Sequence, residues 1–246
     1  IMLFERGDYI SFANCGLPYH VGKVIGERES LLVMTPEKLK ARTGIEARIR
    51  HEVKAIDPLR HILTIEELDS GRVYEETYDK LVVSTGSRPA VPTLPGVELP
   101  QVMRLWNIPD MDAIITRINA GARSAVVVGA GFIGLEIAEN LRERGLEVTV
   151  VELMDQVLRT IDHEMSIPQR RELAKIGIKV MLSEQVSGFS ELPGGRVETG
   201  LASGQSRSSD FVVMSVGVRP NSELAKAAGL EIGPRGGIVT DAHMRT

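Results

Sequence analysis

Two stretches of the sequence carry residue types at spacings that suit chemistry. The first is Gly129-Ala130-Gly131-Phe132-Ile133-Gly134, a Gly-x-Gly-x-x-Gly loop. It follows the apolar run 125–128 and precedes a helical stretch, 135–143, that Gly145 stops; residues 147–152 then read as a buried strand ending in Glu152. In that context Gly129 permits a tight turn, Gly131 lets the backbone approach a pyrophosphate, and Gly134 lets helix and strand pack closely. The helix start presents unpaired N–H groups to the phosphates. Glu152, 23 residues after Gly129, is placed to accept hydrogen bonds from both ribose hydroxyls and to repel a 2′-phosphate. Leu153 and Met154 offer no arginine to hold such a phosphate, so the expected coenzyme is NADH. The second stretch surrounds Cys15, the only cysteine. A lone cysteine is often a small buried hydrophobe, but Ser11, Asn14 and Gly16 are poor core formers. Residues 17–21 read as a short helix with Cys15 at its N-terminus, where the dipole favours the nucleophilic thiolate.

These residues need elements to hold them, and the chain suggests one plan used twice. Residues 1–5 form an apolar run ending in Glu5, as residues 147–152 end in Glu152. The stretch from Asp79 to Pro89 aligns without gaps with that from Asp210 to Pro220, its Asp, Gly, Arg and Pro recurring at an offset of 131. Between each acid-ended strand and its Gly-x-Arg-Pro block lie a helical stretch and Val-, Ile- and Thr-rich segments that fit a small antiparallel meander. Thr35-Pro36-Glu37 opens one helix, stopped at Gly44; Asp162-His163-Glu164 opens another, running to Lys175 and ended by Gly177. Residues 110–119 give a third, amphipathic helix. The expected fold is α/β, with two Rossmann-like FAD/NAD(P)-binding three-layer domains, each with a parallel sheet and a small meander. The expected division is an FAD-binding domain over 1–106, an NADH-binding domain over 107–221, and a return segment over 222–246. In the first copy, a glycine loop 23 residues before Glu5 would precede Ile1, so the FAD domain is expected to be incomplete.

Composition limits the function classes. The chain has 246 residues, 43% hydrophobic and 25% charged, with a formal net charge of -4 and no basic stripe that would track nucleic acid. No apolar run is long enough to span a bilayer, and a single cysteine excludes a disulfide framework within the chain. These features suggest a cytoplasmic protein with neither a nucleic-acid nor a membrane partner. His51, His61, His163 and His243 have no metal-ligand spacing, so no metal is expected.

The segment Ser11-Phe12-Ala13-Asn14-Cys15-Gly16-Leu17-Pro18-Tyr19, preceded by a strand ending in Glu5, resembles the coenzyme A-disulfide reductases and the related NADH-dependent persulfide and polysulfide reductases. These belong to the pyridine nucleotide-disulfide oxidoreductases. The resemblance extends through residues 78–89, the glycine loop to Glu136, and residues 211–221. It implies that Glu5 and Arg6, with Thr85 and Gly86, hold FAD. It also implies that Cys15 is the redox cysteine, pairing with coenzyme A as a mixed disulfide, with Ser11 and Asn14 near the thiol substrate. Gly129, Gly131, Phe132, Ile133, Gly134, Glu152 and Gly217 would hold NADH, with Glu136 near the nicotinamide, although an ordinary helix acid also fits that position. His20 stands where many relatives have a second tyrosine, and Thr43 follows Arg42 where some carry a lysine, which bears on substrate preference. The resemblance further implies a homodimer formed through a C-terminal domain, and in some relatives a fused rhodanese domain. Two rivals remain: an NADH oxidase or peroxidase cycling the cysteine through sulfenic acid, and a non-catalytic NADH-sensing module.

Overall fold

Short apolar runs separated by glycine-punctuated turns set the order of elements. The computed structural model describes all 246 residues. It begins with β1 (Met2–Glu5), α1 (Leu17–Val21) and α2 (Pro36–Thr43), then β2 (Glu46–Ile49), β3 (His51–Asp57), β4 (Ile62–Glu67) and β5 (Arg72–Thr77). Next come β6 (Ser87–Pro89), β7 (Val102–Arg104), α3 (Ile108–Asn119), β8 (Ser124–Val128), α4 (Phe132–Glu143), β9 (Glu147–Val151), α5 (His163–Lys175) and β10 (Lys179–Met181). The chain closes with β11 (Val186–Leu192), β12 (Arg196–Leu201), β13 (Ser206–Ser209), β14 (Phe211–Met214), β15 (Val218–Pro220) and α6 (Glu223–Ala227). Helix limits follow local chemistry. Thr35 caps α2 by accepting the Lys38 N–H at 3.3 Å, and Gly44 ends it at φ +74. Asn107 caps α3 by accepting the Asp110 N–H at 2.9 Å, so that helix begins two residues before its expected start.

Two compact units result. The first comprises Ile1–Ala13, Leu32–Arg88 and Arg219–Thr246; the second comprises Asn14–Leu31 and Pro89–Val218. The stretch after Pro89 therefore groups with the second unit. The reason is that β7 pairs in parallel with β14, Val102 opposite Val212, which binds the stretch after Pro89 to the second unit.

The second unit is a three-layer α/β structure. Its parallel sheet has the order β10-β9-β8-β14-β7, and β8 and β14 are apolar runs with little or no exposure. Val126 and Val128 of β8, Val212 and Met214 of β14, and Val151 of β9 form one core with Val186, Phe189, Val197 and Leu201 of the antiparallel β11-β12-β13 meander. The helices bury Ile108, Met111, Ile114 and Ile118 of α3 and Ile137, Ala138 and Leu141 of α4. The short α1 packs on α3 and α4, burying Leu17, Pro18 and Val21.

The first unit repeats the plan in reduced form. β1 pairs in parallel with β2, Glu5 opposite Ile49, and β3-β4-β5 form the meander with Ile65 fully buried. Here the two copies part. The stretch aligned with β14 is not a strand: residues 81–86 have no regular structure, and Val82 is 86% exposed. No strand among these 246 residues pairs with it, so the parallel sheet of this unit has two strands.

Candidate nucleotide site and redox cysteine

The sheet order points to a candidate nucleotide site. From β8 the chain proceeds through β9 to β10 on one side, while β14 lies on the other, so strand order reverses between β8 and β14. In open parallel sheets, ligands settle beyond the carboxyl ends of the strands at such a reversal. The loops there are those of Gly129 and Gly217. Gly129 adopts φ +103, and a Cβ on it would lie 2.2 Å from the Ser215 carbonyl oxygen, so only glycine lets these loops meet. A Cβ on Gly134 would lie 2.0 Å from the Gly129 oxygen, which fits its expected role in close packing. Gly131 differs: nothing lies within 4 Å of the position its Cβ would take. That open space lies at the start of α4, where Gly131 is the N-cap and no side chain caps the first N–H groups. Phe132 and Ile133, exposed despite being apolar, flank it. Gly217, at φ +98, also has open space beside it, and its carbonyl accepts the Ala90 N–H at 2.9 Å. An open space, unpaired N–H groups and a helix dipole together fit a dinucleotide pyrophosphate.

Glu152 lies immediately after β9, half-buried. One carboxylate oxygen accepts the Ala130 N–H at 2.6 Å and the other accepts the Met154 N–H at 2.9 Å. Each oxygen keeps a further acceptor direction for a ribose hydroxyl. Glu136, in the second turn of α4, is half-buried, and burial pushes its carboxyl above the usual carboxylate range.

Cys15 is exposed and lies in a single 3-10 turn, Asn14–Gly16, leading into α1. Its segment is fixed to the nucleotide-binding unit by close contact. A Cβ on Gly22 would fall 2.0 Å from Oδ1 of Asn140, a buried residue of α4 whose Nδ2 donates to the Glu136 carbonyl at 2.8 Å. An Arg144 N–H donates to the Val21 carbonyl at 2.8 Å. His20 Nδ1 sits 2.8 Å from the Ile25 carbonyl and serves as a local brace. Asn14 is exposed beside Cys15. Ser11 belongs to the first unit, bridged to Met34.

The expected FAD residues are in the first unit. Glu5 accepts the Gly7 N–H at 2.7 Å and keeps its other oxygen for a ribose, and Gly86, at φ +66, has open space beside it. Thr85 hydrogen-bonds Asn221 through both its hydroxyl and its carbonyl, and Arg6 pairs loosely with Glu52 at 3.8 Å. These residues fit the nucleotide end of a flavin dinucleotide.

Two features here have no sequence signal. Ala130 serves Glu152 through its N–H and accepts the Leu158 N–H at 2.9 Å through its carbonyl, so the loop after β9 folds back onto the glycine loop. Leu158 does so at φ +50, a conformation that nothing in its residue type announces. No group of His, Cys, Asp and Glu could hold a metal ion, and no helix is long and apolar enough to cross a membrane.

Known proteins share this fold. A crystal structure of reduced Bacillus anthracis CoADR-RHD superposes with a TM-score of 0.95 at 40% identity, covering 100% of this chain and 44% of that one. The coenzyme A disulfide reductase of Staphylococcus aureus is 35% identical over 100% of this chain and 55% of its own length. An engineered water-forming NADPH oxidase bound to NADPH, derived from the Lactobacillus brevis NADH oxidase, superposes at 0.93 with 31% identity, over 99% of this chain and 54% of that one. The chain thus spans about half the length of these relatives. With residues 1–246 all matched, the chain belongs to the pyridine nucleotide-disulphide oxidoreductase family.

Proposed function

We propose that this chain is the pyridine nucleotide-binding and thiol-bearing part of an enzyme that uses NADH to reduce small disulfides, with coenzyme A disulfide, persulfides or polysulfides as the substrate class. The carrying observation is that the exposed Cys15 sits on a segment locked to α4, the helix whose first turn opens the nucleotide site. Gly129, Gly131, Phe132, Ile133, Gly134 and Gly217 hold the dinucleotide, Glu152 orients its adenosine ribose, and Glu136 lies toward the nicotinamide. Glu5, Arg6, Thr85 and Gly86 hold the nucleotide end of FAD, which when bound supplies a two-electron carrier between nicotinamide and thiol. The Cys15 thiolate attacks one sulfur of the substrate disulfide, the S–S bond breaks, and the departing thiolate takes a proton. Cys15 is left in a mixed disulfide, with Asn14 beside the bound thiol. Two electrons originating from NADH then release the second thiol, so one disulfide, one NADH and one proton give two thiols and NAD⁺. One cysteine suffices because the second sulfur comes from the substrate.

The likeness to a water-forming oxidase favours one rival, in which Cys15 cycles through sulfenic acid. The deciding experiment follows NADH oxidation by the full-length enzyme, reconstituted with FAD, with coenzyme A disulfide, a persulfide, oxygen or hydrogen peroxide, alongside Cys15→Ser. Disulfide- or persulfide-driven turnover lost in Cys15→Ser supports the reading. Turnover with oxygen or peroxide alone assigns the protein to the oxidase branch. NADH binding without turnover on any acceptor would make it a sensing module.

A further inference from the structure

Cys15 is carried by a helical stretch whose far end is keyed into α4. The chain turns without a break from Asn14–Gly16 through α1 to Gly22, whose N–H reaches the Pro18 carbonyl at 2.9 Å. At a rise of about 1.5 Å per residue, Cys15 lies only about 10 Å along the axis from Gly22, so a shift at Gly22 moves the cysteine with it. Leu17 and Val21, both buried, hold α1 against its neighbours. Apolar burial has no direction, however, and does not decide where along α4 so short a helix sits.

Two polar residues one turn apart on α4 decide it. Gly22 has an ordinary backbone at φ -72, so the turn itself does not require glycine. A Cβ there would fall 2.0 Å from Oδ1, 2.8 Å from Cγ and 3.0 Å from Cβ of Asn140. The Asn140 amide is buried, and its Nδ2 donates to the Glu136 carbonyl at 2.8 Å, so it swings aside only by giving up that bond. Its Cβ cannot move without the helix. Asn140 also lies on the face that buries Ile137, Ala138 and Leu141, where alanine or leucine would favour the helix more. An amide at that position costs helix propensity and fixes a place. Arg144, the C-cap of α4, donates one N–H to the Val21 carbonyl at 2.8 Å and another to Oδ1 of Asn119 in α3 at 3.1 Å.

We propose that Asn140 is a positioning residue for the chemistry of Cys15: by filling the space beside Gly22 it sets the register of α1 on α4, and Arg144 locks that register. The inference rests on reading the chain as the thiol-bearing part of an NADH-dependent disulfide reductase. The step it governs is the second half of the cycle. A mixed disulfide on Cys15 takes the hydride equivalent of NADH, two electrons and one proton. The S–S bond breaks, leaving a thiolate on Cys15, one free thiol and NAD⁺. In the first half an exposed thiolate attacks a disulfide from solution, which needs no fixed distance to α4. Electron delivery from the nucleotide does, and a misplacement of about 1 Å can slow a positioned step about a hundredfold.

The test uses the full-length enzyme with FAD and takes coenzyme A disulfide as the probe. Capture is followed as mass gained on the Cys15 peptide of the reduced enzyme, and release as coenzyme A freed when the isolated mixed disulfide meets NADH. Gly22→Ala is expected to slow release about tenfold or more while capture stays within about twofold. Asn140→Ala, which empties the contested space, should slow release about threefold, and adding Gly22→Ala to it should slow release no further. Equal slowing by Gly22→Ala in both backgrounds, or unchanged release in both single variants, overturns the inference. Capture falling in parallel with release does so too, because a merely structural loss affects both. If Gly22→Ala does not fold, Asn140→Ala and Arg144→Gln decide the matter, and unchanged release in both overturns it. A wild type whose mixed disulfide NADH does not release removes the reductase reading and this inference together. A wild type that releases it, beside variants that release it equally fast, removes this inference alone.

Discussion

The two copies of the repeated plan teach most where they differ. Their shared local geometry is close. Glu5 accepts the N–H of the residue two positions on, as Glu152 does, at 2.7 and 2.9 Å. Arg50, at φ +58, donates its N–H to Gly7, and Ser183, at φ +53, donates to Met154, so the turn after each second parallel strand is reproduced with its unusual backbone. Asn221 donates to the Gly86 carbonyl and Ala90 to the Gly217 carbonyl, both at 2.9 Å and at the sequence offset of 131. The sheet partners differ. Phe211–Met214 pairs with β8 and β7 and is buried throughout, whereas the aligned residues 80–83 pair with nothing. The same apolar pattern yields a strand in one place and an unpaired segment in the other, so the strand depends on its neighbours more than on its residues.

The largest expected effect therefore separates Val213 from Val82, which align at that offset. Val213→Asp buries an uncompensated carboxylate in the central sheet, and denaturant unfolding should register a loss above about 4 kcal/mol or no folded protein. Val82→Asp should change stability by less than about 0.5 kcal/mol. In a longer chain that supplies a partner strand, Val82→Asp should become costly. An equal loss for both substitutions in this chain would sink the comparison.

The next contrast lies within the glycine loop. Gly129→Ala forces a Cβ to 2.2 Å from the Ser215 oxygen at a positive φ, and should lower stability by about 2 kcal/mol or more while weakening nucleotide binding. Gly131→Ala meets open space at an ordinary backbone conformation, so thermal unfolding should be nearly unchanged while NADH affinity, measured by titration, falls about tenfold or more. An alanine at Gly131 that leaves affinity intact would place the pyrophosphate elsewhere.

Much of this was legible in the sequence because the signals are local. Glycines in series, a strand-end acid at a fixed distance and capped helices each depend on a few neighbouring residues, and the helix beginning near Thr35 and the glycine loop appear where expected. The helix after that loop starts at Phe132, earlier than read, because Gly131 itself serves as N-cap. Contacts distant in sequence were less legible. Residues 14–31 join the second unit because Gly22 has no side chain to clash with Asn140, a fit that no pattern around either residue reveals. The return of the loop after β9 to Ala130 depends on a leucine in a left-handed conformation, and residues 81–86 carry a strand pattern that pairing alone could realise.

A smaller effect distinguishes Asp210 from Asp79, which open the aligned stretches. Asp210 is partly buried, which opposes ionisation, but the Arg123 and Ser124 N–H groups, the Ser124 hydroxyl and Arg196 outweigh that and hold its carboxyl below the usual range. A depressed folded pKa stabilises the protein above the unfolded value near 4, and that stability is lost as pH falls through the folded value. Asp210→Asn should thus lower stability at pH 7 by about 1–3 kcal/mol, with the difference shrinking in acid, while Asp79→Asn, on an exposed residue, should give no comparable difference at any pH.

The smallest effect expected is at Glu136, where the sign reverses. Burial raises its carboxyl, so the folded state holds the proton more tightly than the unfolded state, and ionising it as pH rises through the folded value costs stability. Glu136→Gln removes that cost and should stabilise the protein slightly near neutral pH, with the gain vanishing below about pH 4, where both states are protonated. A residue kept at the expense of stability is one that the nucleotide-site reading must account for. If Glu136 lies toward the nicotinamide, Glu136→Gln should alter NADH turnover and its pH profile in the full-length enzyme while leaving AMP affinity, which reports only the far end of the dinucleotide, unchanged. A flat pH profile in both proteins would reduce Glu136 to an ordinary half-buried helix acid.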